Sequence, residues 1–186
     1  MDRSLPGHLK ITESQLVVVD VQGRLARLMY ESDTMIRAQQ ILIEACRLLD
    51  VPIVWAEQLP DKLGLTVDEL QKPLHGLTPL EKSSFGCWGD DVLRYKLQTS
   101  GRNKVLLCGI EAHVCVWQTA AALQQNDFEV HVITDACSSR SAFNRDIAYR
   151  RMQSAGIYLS SVEMALFELM NNAHHPQFRA VSQLLK

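Results

Sequence analysis

Five short strand candidates, most of them continuous apolar runs, constrain this chain more than anything else in it. They are Leu16–Val19, Ile53–Ala56, Val105–Cys108, Glu129–Ile133 and Ile157–Leu159. A strand that faces water on one side alternates apolar and polar residues, whereas a continuous run belongs to a parallel sheet covered on both faces. The intervening stretches carry helical patterns: Asp33–Leu49, Asp90–Gln98, Cys115–Gln125, Asn144–Ser154 and Ser161–Met170. This alternation predicts an α/β fold, a three-layer α/β/α sandwich around a mostly parallel, doubly wound sheet. No repeat, linker or low-complexity segment interrupts it, so the 186 residues are expected to form one domain over 1–186. The irregular part is Gln58–Thr78, with Pro60, Gly64, Pro73, Gly76 and a possible short helix at Thr66–Gln71; its length suits a lid or a subunit contact.

Composition narrows the function classes. With 47% hydrophobic residues the chain is not disordered, and a net charge of −2 without a basic stripe argues against nucleic acid and anionic membranes as partners. A small neutral or weakly charged substrate is the natural alternative. Residues 1–12 include Asp2, Arg3, Pro6 and His8 but no apolar core, so neither a signal peptide nor a membrane span is expected there. Five scattered cysteines, Cys46, Cys87, Cys108, Cys115 and Cys137, with no C-x-x-C pair, imply a reducing cytoplasm. Cys46 and Cys108 read as core residues.

Two residues stand where open α/β sheets keep their chemistry, beyond the C-terminal ends of strands, and a third, Lys82, lies between them in the chain in a short segment of mixed polarity after a proline-bearing loop. Asp20 closes Gln15-Leu-Val-Val-Val-Asp20; Lys82 lies in Pro79-Leu-Glu-Lys-Ser-Ser-Phe-Gly-Cys-Trp88; Cys115 follows Gly-Ile-Glu-Ala-His-Val. A thiol in the first turn of a helix is expected to feel the positive end of the macrodipole, which favours thiolate.

In this order, with these local strings, the chain resembles the isochorismatase-like cysteine hydrolases. The resemblance covers about residue 12 to the C-terminus and looks strongest toward the short isochorismatase-domain-containing proteins, through Trp-Ala-Glu-Gln58, Leu-Gly-Leu-Thr-Val-Asp-Glu-Leu70, Asp-Ala-Cys-Ser-Ser-Arg-Ser141 and His175-Pro-Gln-Phe178. It implies a triad: Cys115 as the nucleophile that forms a thioester, Asp20 as general base, and Lys82 holding Asp20 ionised. It also implies an oxyanion hole of backbone N–H groups in the turn before Cys115, with a non-proline cis peptide between Ile110 and Glu111 and Gly109 relaxing the sterics ahead of it. The expected chemistry is hydrolysis of an amide-type C–N bond, because the vinyl-ether-cleaving branch lacks the cysteine. Metal-binding relatives carry an Asp-x-His pair after the second strand; here the stretch is Trp-Ala-Glu-Gln-Leu-Pro60, so no metal and no cofactor is expected. The family is commonly oligomeric, which implies a homo-oligomer.

Around the triad, Gln22, Phe85 and Trp88 are expected to line a substrate pocket. His113 is expected to point away from the thiol, and Asp135 to satisfy backbone N–H groups of its own turn, with Arg140 as a possible partner. A dinucleotide-binding reading fails, since Asp20-Val-Gln-Gly-Arg24 stands where G-x-G-x-x-G would be required. A non-catalytic binding protein that keeps the fold is the competing class.

Overall fold

The computed structural model describes residues 7–186, so the part of the N-terminal reading that concerns residues 1–6 lies outside the described residues. Six strands form one sheet: β1 Ser14–Val19, β2 Ile53–Gln58, β3 Leu80–Lys82, β4 Lys104–Ile110, β5 Glu129–Ser138 and β6 Tyr158–Ser160. Their order is β3-β2-β1-β4-β5-β6, and every pairing between them is parallel. The helices are α1 Gly23–Arg27, α2 Ser32–Leu48, α3 Pro60–Leu63, α4 Asp68–Gln71, α5 Asp91–Thr99, α6 Trp117–Gln125, α7 Ala142–Ser154, α8 Val162–Met170 and α9 Phe178–Leu184.

Each residue of β1 and of β4 is buried, as the continuous apolar runs require of the two central strands. Helices cover both faces: α2 packs with α8 and α9 on one, α6 with α7 on the other. The long helix α2 turns Met35, Ile36, Leu42, Ile43, Ala45 and Cys46 inward at helical spacing, and each large aliphatic so buried contributes on the order of 1.5–3 kcal/mol. Side chains set several of the boundaries. Asp90 Oδ1 accepts from the N–H groups of Val92 and Leu93 to start α5, and Ser141 and Ser161 cap α7 and α8 in the same way.

Gly109 is where β4 runs hardest against its neighbour. Its φ of +135° and the 2.1 Å that would separate an added Cβ from Val19 O mean that only glycine fits there. The expected relief of local sterics is therefore a packing requirement between β4 and β1.

The structure departs from the sequence reading in four places. First, β5 does not end at Ile133 but continues to Ser138. Its pairing jumps from Leu107↔Val132 to Gly109↔Cys137, so a bulge at Ile133–Ala136 holds extra residues that β4 does not match. Tyr149 bridges the bulge by donating its hydroxyl to Thr134 O and Cys137 O, at 2.7 and 2.9 Å. Second, Asp135 lies inside this bulge, and its carboxylate, besides engaging the N–H groups of its own turn as expected, accepts from the N–H of Val162, 2.9 Å away, at the start of α8. Arg140 pairs instead with Glu111. Third, β3, α1, α3 and α9 were not anticipated: β3 is too short and polar to show as an apolar run, and the three helices are only five, four and seven residues long. Fourth, the helix expected to begin at Cys115 is preceded by a π-helical turn, Ala112–Val116, so Cys115 sits within that turn.

Candidate active site

In this strand order the chain reverses its direction of winding between β1 and β4, and ligands of such sheets bind beyond the strand ends at that point. Asp20 follows β1 and Cys115 stands five residues beyond β4, so the two flank it. Asp20 adopts φ +56°, a left-handed conformation that aspartate tolerates better than most residues but that still carries strain of roughly 1–3 kcal/mol. Lys82 reaches the same place from the edge of the sheet. Its strand pairs with β2 through Gln58↔Lys82, and the side chain crosses the end of β2 toward Asp20.

The ammonium of Lys82 is enclosed by four oxygens: Asp20 Oδ2 at 2.7 Å, Gln58 Oε1 at 3.1 Å, Ser84 O at 3.0 Å and Phe85 O at 2.9 Å. Both partners of the ion pair are buried. Enclosure of this kind makes the pair indispensable, because removing one charge strands the other away from water. The Cys115 thiol donates to Gln58 Oε1 at 3.4 Å and is 8% exposed. Asp20 Oδ1 is buried and makes no hydrogen bond of ordinary length among the described residues, but the carboxylate is close enough to the Cys115 thiol for each to act on the other's proton.

The electrostatics correct the expected thiolate. Burial, and next the charge of Asp20, push the Cys115 thiol up to about 12, and Lys82 only partly offsets them. The dipole of one short turn is too weak to outweigh desolvation beside a carboxylate. Burial likewise raises the Asp20 carboxyl, against the pull of Lys82, which makes it a stronger base than a solvated aspartate.

A cleft of about 260 Å³ opens above these groups, lined by Leu25, Leu59, Leu63, Phe85, Ile110 and Val114, with Asp20, Gln58, Lys62, Glu111 and Cys115. Of the residues expected in the pocket, Phe85 is there. Gln22 is not: it is buried below, with its side chain bonded to the main chain of Gln58 and to Gly64 O. Trp88 packs edge-on against Phe128 and does not line the cleft. The peptide bond between Ile110 and Glu111 is cis. Glu111 accepts from Arg140 at 3.1 Å, and His113 Nδ1 meets Ser139 Oγ at 2.9 Å, away from the thiol. The Gln58–Thr78 segment supplies Leu59, Lys62 and Leu63, so its first part forms a wall of the cleft.

Gln58 was missed as a site residue. A glutamine after Ile53–Ala56 looks like the start of a loop, yet the strand runs two residues further, and Gln58 lies just past the last residue pair of β1 and β2, Val19↔Ala56. Glu57 takes the N–H and hydroxyl of Thr66, at 2.7 and 2.6 Å, so its carboxylate is already engaged. Among the described residues no three His, Cys, Asp or Glu side chains gather as a metal site would need.

An all-parallel sheet wound in this order, with an acid, an ammonium and a thiol at its switch point, defines the class: an α/β protein of hydrolase-like build. The chain matches the Isochorismatase domain family over residues 14–164 and belongs to that family. It is 38% identical over 184 residues to the secreted isochorismatase effector Isc1 of Phytophthora sojae, covering 97% of this chain and 88% of that protein. Human isochorismatase domain-containing protein 2 is 36% identical over 187 residues, covering 100% and 87%. Among solved structures, MAR1 ribonuclease from Caenorhabditis elegans is 35% identical with a TM-score of 0.90, covering 96% of this chain and 92% of that one. The Escherichia coli YcaC gene product, an octameric hydrolase of unknown specificity, shares the fold at a TM-score of 0.87 and 20% identity, covering 97% of each chain.

Proposed function

We propose that this protein is a cysteine-dependent hydrolase of small, largely apolar amides. One observation carries the reading: a thiol and a buried carboxylate meet at one apolar cleft, with an ammonium enclosed against that carboxylate. A thiol held near 12 does not wait as thiolate, so its proton leaves as the sulfur attacks. Asp20 takes that proton while Sγ bonds to the carbonyl carbon, and N–H groups of the Ile110–Cys115 turn donate to the oxygen that becomes negative. Asp20 then returns the proton to the departing amine, leaving a thioester. Water, deprotonated by the same carboxylate, releases the acid and restores the thiol.

Cleft size and lining favour a substrate of about a dozen heavy atoms with an aliphatic or aromatic acyl part. Lys62, exposed at the cleft, could meet a carboxylate on its far end. A net charge of −2 gives a polyanion such as RNA little to bind, so the ribonuclease activity in the name of the nematode relative is not carried over. Five free, buried cysteines suit a reducing compartment, and we assign the cytoplasm on that ground. A homo-oligomer is proposed by analogy with the octameric YcaC.

The test is a panel of small amides, carbamoyl compounds and hydroxamates incubated with the protein and read by intact mass. A transient adduct equal to the acyl group, absent in Cys115→Ala, is the expected result. No adduct and no turnover across the panel would favour the non-catalytic binding reading.

A further inference from the structure

One atom of Gln58 serves both the lysine and the thiol. Its Oε1 accepts from Lys82 Nζ at 3.1 Å and from the Cys115 thiol at 3.4 Å. Turning the amide over would face its NH2 group to an ammonium, and Nε2 already donates to Ser83 O at 3.2 Å, so the orientation is set by its surroundings. The backbone beneath is clamped as well. Gln22 Oε1 accepts from the Gln58 N–H at 2.7 Å, while Gln22 Nε2 donates to Gln58 O at 3.1 Å and to Gly64 O at 2.7 Å. A pair of buried glutamines is an expensive way to close a strand unless the second amide has to be held in place.

The bond to the thiol has a chemical meaning. A thiol that donates to an amide oxygen keeps its proton, because at neutral pH that oxygen cannot take it. The group that could take it, the Asp20 carboxylate, lies close enough to the thiol to interact with its proton, while its Oδ1 makes no hydrogen bond of ordinary length among the described residues. We propose that Gln58 is a positioning residue that parks the Cys115 thiol, protonated, beside Asp20, and that the proton passes to Asp20 Oδ1 only when bound substrate turns the sulfur toward the carbonyl carbon. In that step the S–H bond breaks as the S–C bond forms, and Gln58 Oε1 stays on Lys82. Gln22, which does not reach the cleft, acts one step further back by fixing Gln58. The inference rests on Cys115 being the nucleophile of the proposed reaction. The titratable groups that act on the thiol are Asp20 after β1, Lys82 on β3 and Cys87 in the 3-10 turn Cys87–Gly89; Glu57 acts on Asp20, and Lys62 and Glu111 line the cleft.

Iodoacetamide labelling of Cys115 in the full chain, followed by mass spectrometry from pH 5 to 10, reads the thiol without any turnover. Gln58→Met keeps the unbranched stem but removes the acceptor; Gln58→Glu keeps an acceptor and adds negative charge. Losing a bond that favours the neutral thiol, and leaving more of the Lys82 charge uncompensated, both favour thiolate. Gln58→Met should therefore label about tenfold faster at every pH in this range, as a thiol that ionises about one unit lower predicts. Gln58→Glu should label more slowly than wild type. On any hydrolysed amide, Gln58→Met should lower kcat and leave KM within about twofold, as loss of alignment in the transition state predicts. Wild-type labelling profiles in variants that keep the wild-type Tm would overturn the positioning role. Should Gln58→Met fail to fold, the direction of the Gln58→Glu shift decides alone, an unchanged profile counting against the proposal. Full turnover by Cys115→Ala would instead sink the nucleophile reading while leaving the labelling shifts in place, so the two failures are told apart.

Discussion

Asp20 and Cys115 are set up for a proton transfer that neither would perform in water. The thiol is held up by burial and by the carboxylate beside it, and the carboxyl is itself raised by burial. Only ionised Asp20 accepts a proton, so kcat/KM should fall as pH drops through its raised pKa. The acid limb should lie above the usual aspartate value of about 4, with no alkaline limb due to Cys115 in the neutral range. Lys82→Met removes the charge that pulls Asp20 down, so that limb should move to still higher pH and the variant should lose roughly 3–5 kcal/mol in urea unfolding. Because Lys82 also lowers the thiol, the same variant should label at Cys115 more slowly than wild type between pH 7 and 10; an unchanged labelling rate and acid limb would place Lys82 outside the chemistry. Cys115→Ser should lose at least about a thousandfold in rate with its Tm near wild type, and retained activity would refute nucleophilic catalysis. Asp20 and Cys115 were legible in the sequence because each follows an apolar run, whereas Lys82, on a strand too short to show as one, stood out only through its order between them and its local string. Gln58 was not, because a polar residue beyond an apolar run carries no mark of the neighbour it will face. Nor was the protonation state of Cys115, which depends on a carboxylate 95 residues away in the chain.

At the level of elements, the close approach of β1 and β4 is the most exposed to substitution. Gly109→Ala would drive a methyl group into Val19 O, on backbone with no room to shift, and should cost more than about 3 kcal/mol or prevent folding. Gly101→Ala is the control: its φ is +69° but nothing lies within 4 Å of the added carbon, so it should cost only about 1 kcal/mol. Equal losses in urea unfolding would mean that backbone conformation, not the strand contact, sets the penalty. Tyr149→Phe removes the donor shared by two carbonyls at the β5 bulge and should destabilise by about 1–2 kcal/mol. The apolar runs announced β1, β2, β4 and the first half of β5, since burial on both faces leaves a continuous hydrophobic signature. The second half of β5 carries Thr134 and Asp135, polar residues whose place is a bulge and a helix cap, and nothing local distinguishes that from a loop.

Across the whole molecule, the site draws on residues from distant parts of the chain: Asp20, Lys82 and Cys115 meet only when both halves of the sheet are assembled. No helix among the described residues is long and apolar enough to cross a membrane. Dialysis against EDTA should leave both Tm and turnover unchanged, since Glu57, the carboxylate in the β2 stretch where metal-binding relatives carry their pair, is committed to Thr66; a loss restored by zinc or manganese would mean ligands from elsewhere. Fold class and winding order followed from the alternation of runs, whereas the edge of the sheet did not, because three residues of mixed polarity leave no periodicity to read. That edge has a consequence for how the protein fails. The lysine rides on a strand of three residues, paired on one side only, while its partners sit in the fully buried centre. Terminal strands of this sort open locally at a fraction of the free energy needed to melt a sheet. In rising urea the molecule should thus become inert while still compact, with hydrogen exchange at Leu80–Lys82 preceding loss of the far-ultraviolet signal, so that its working range is set by its weakest border and not by its core.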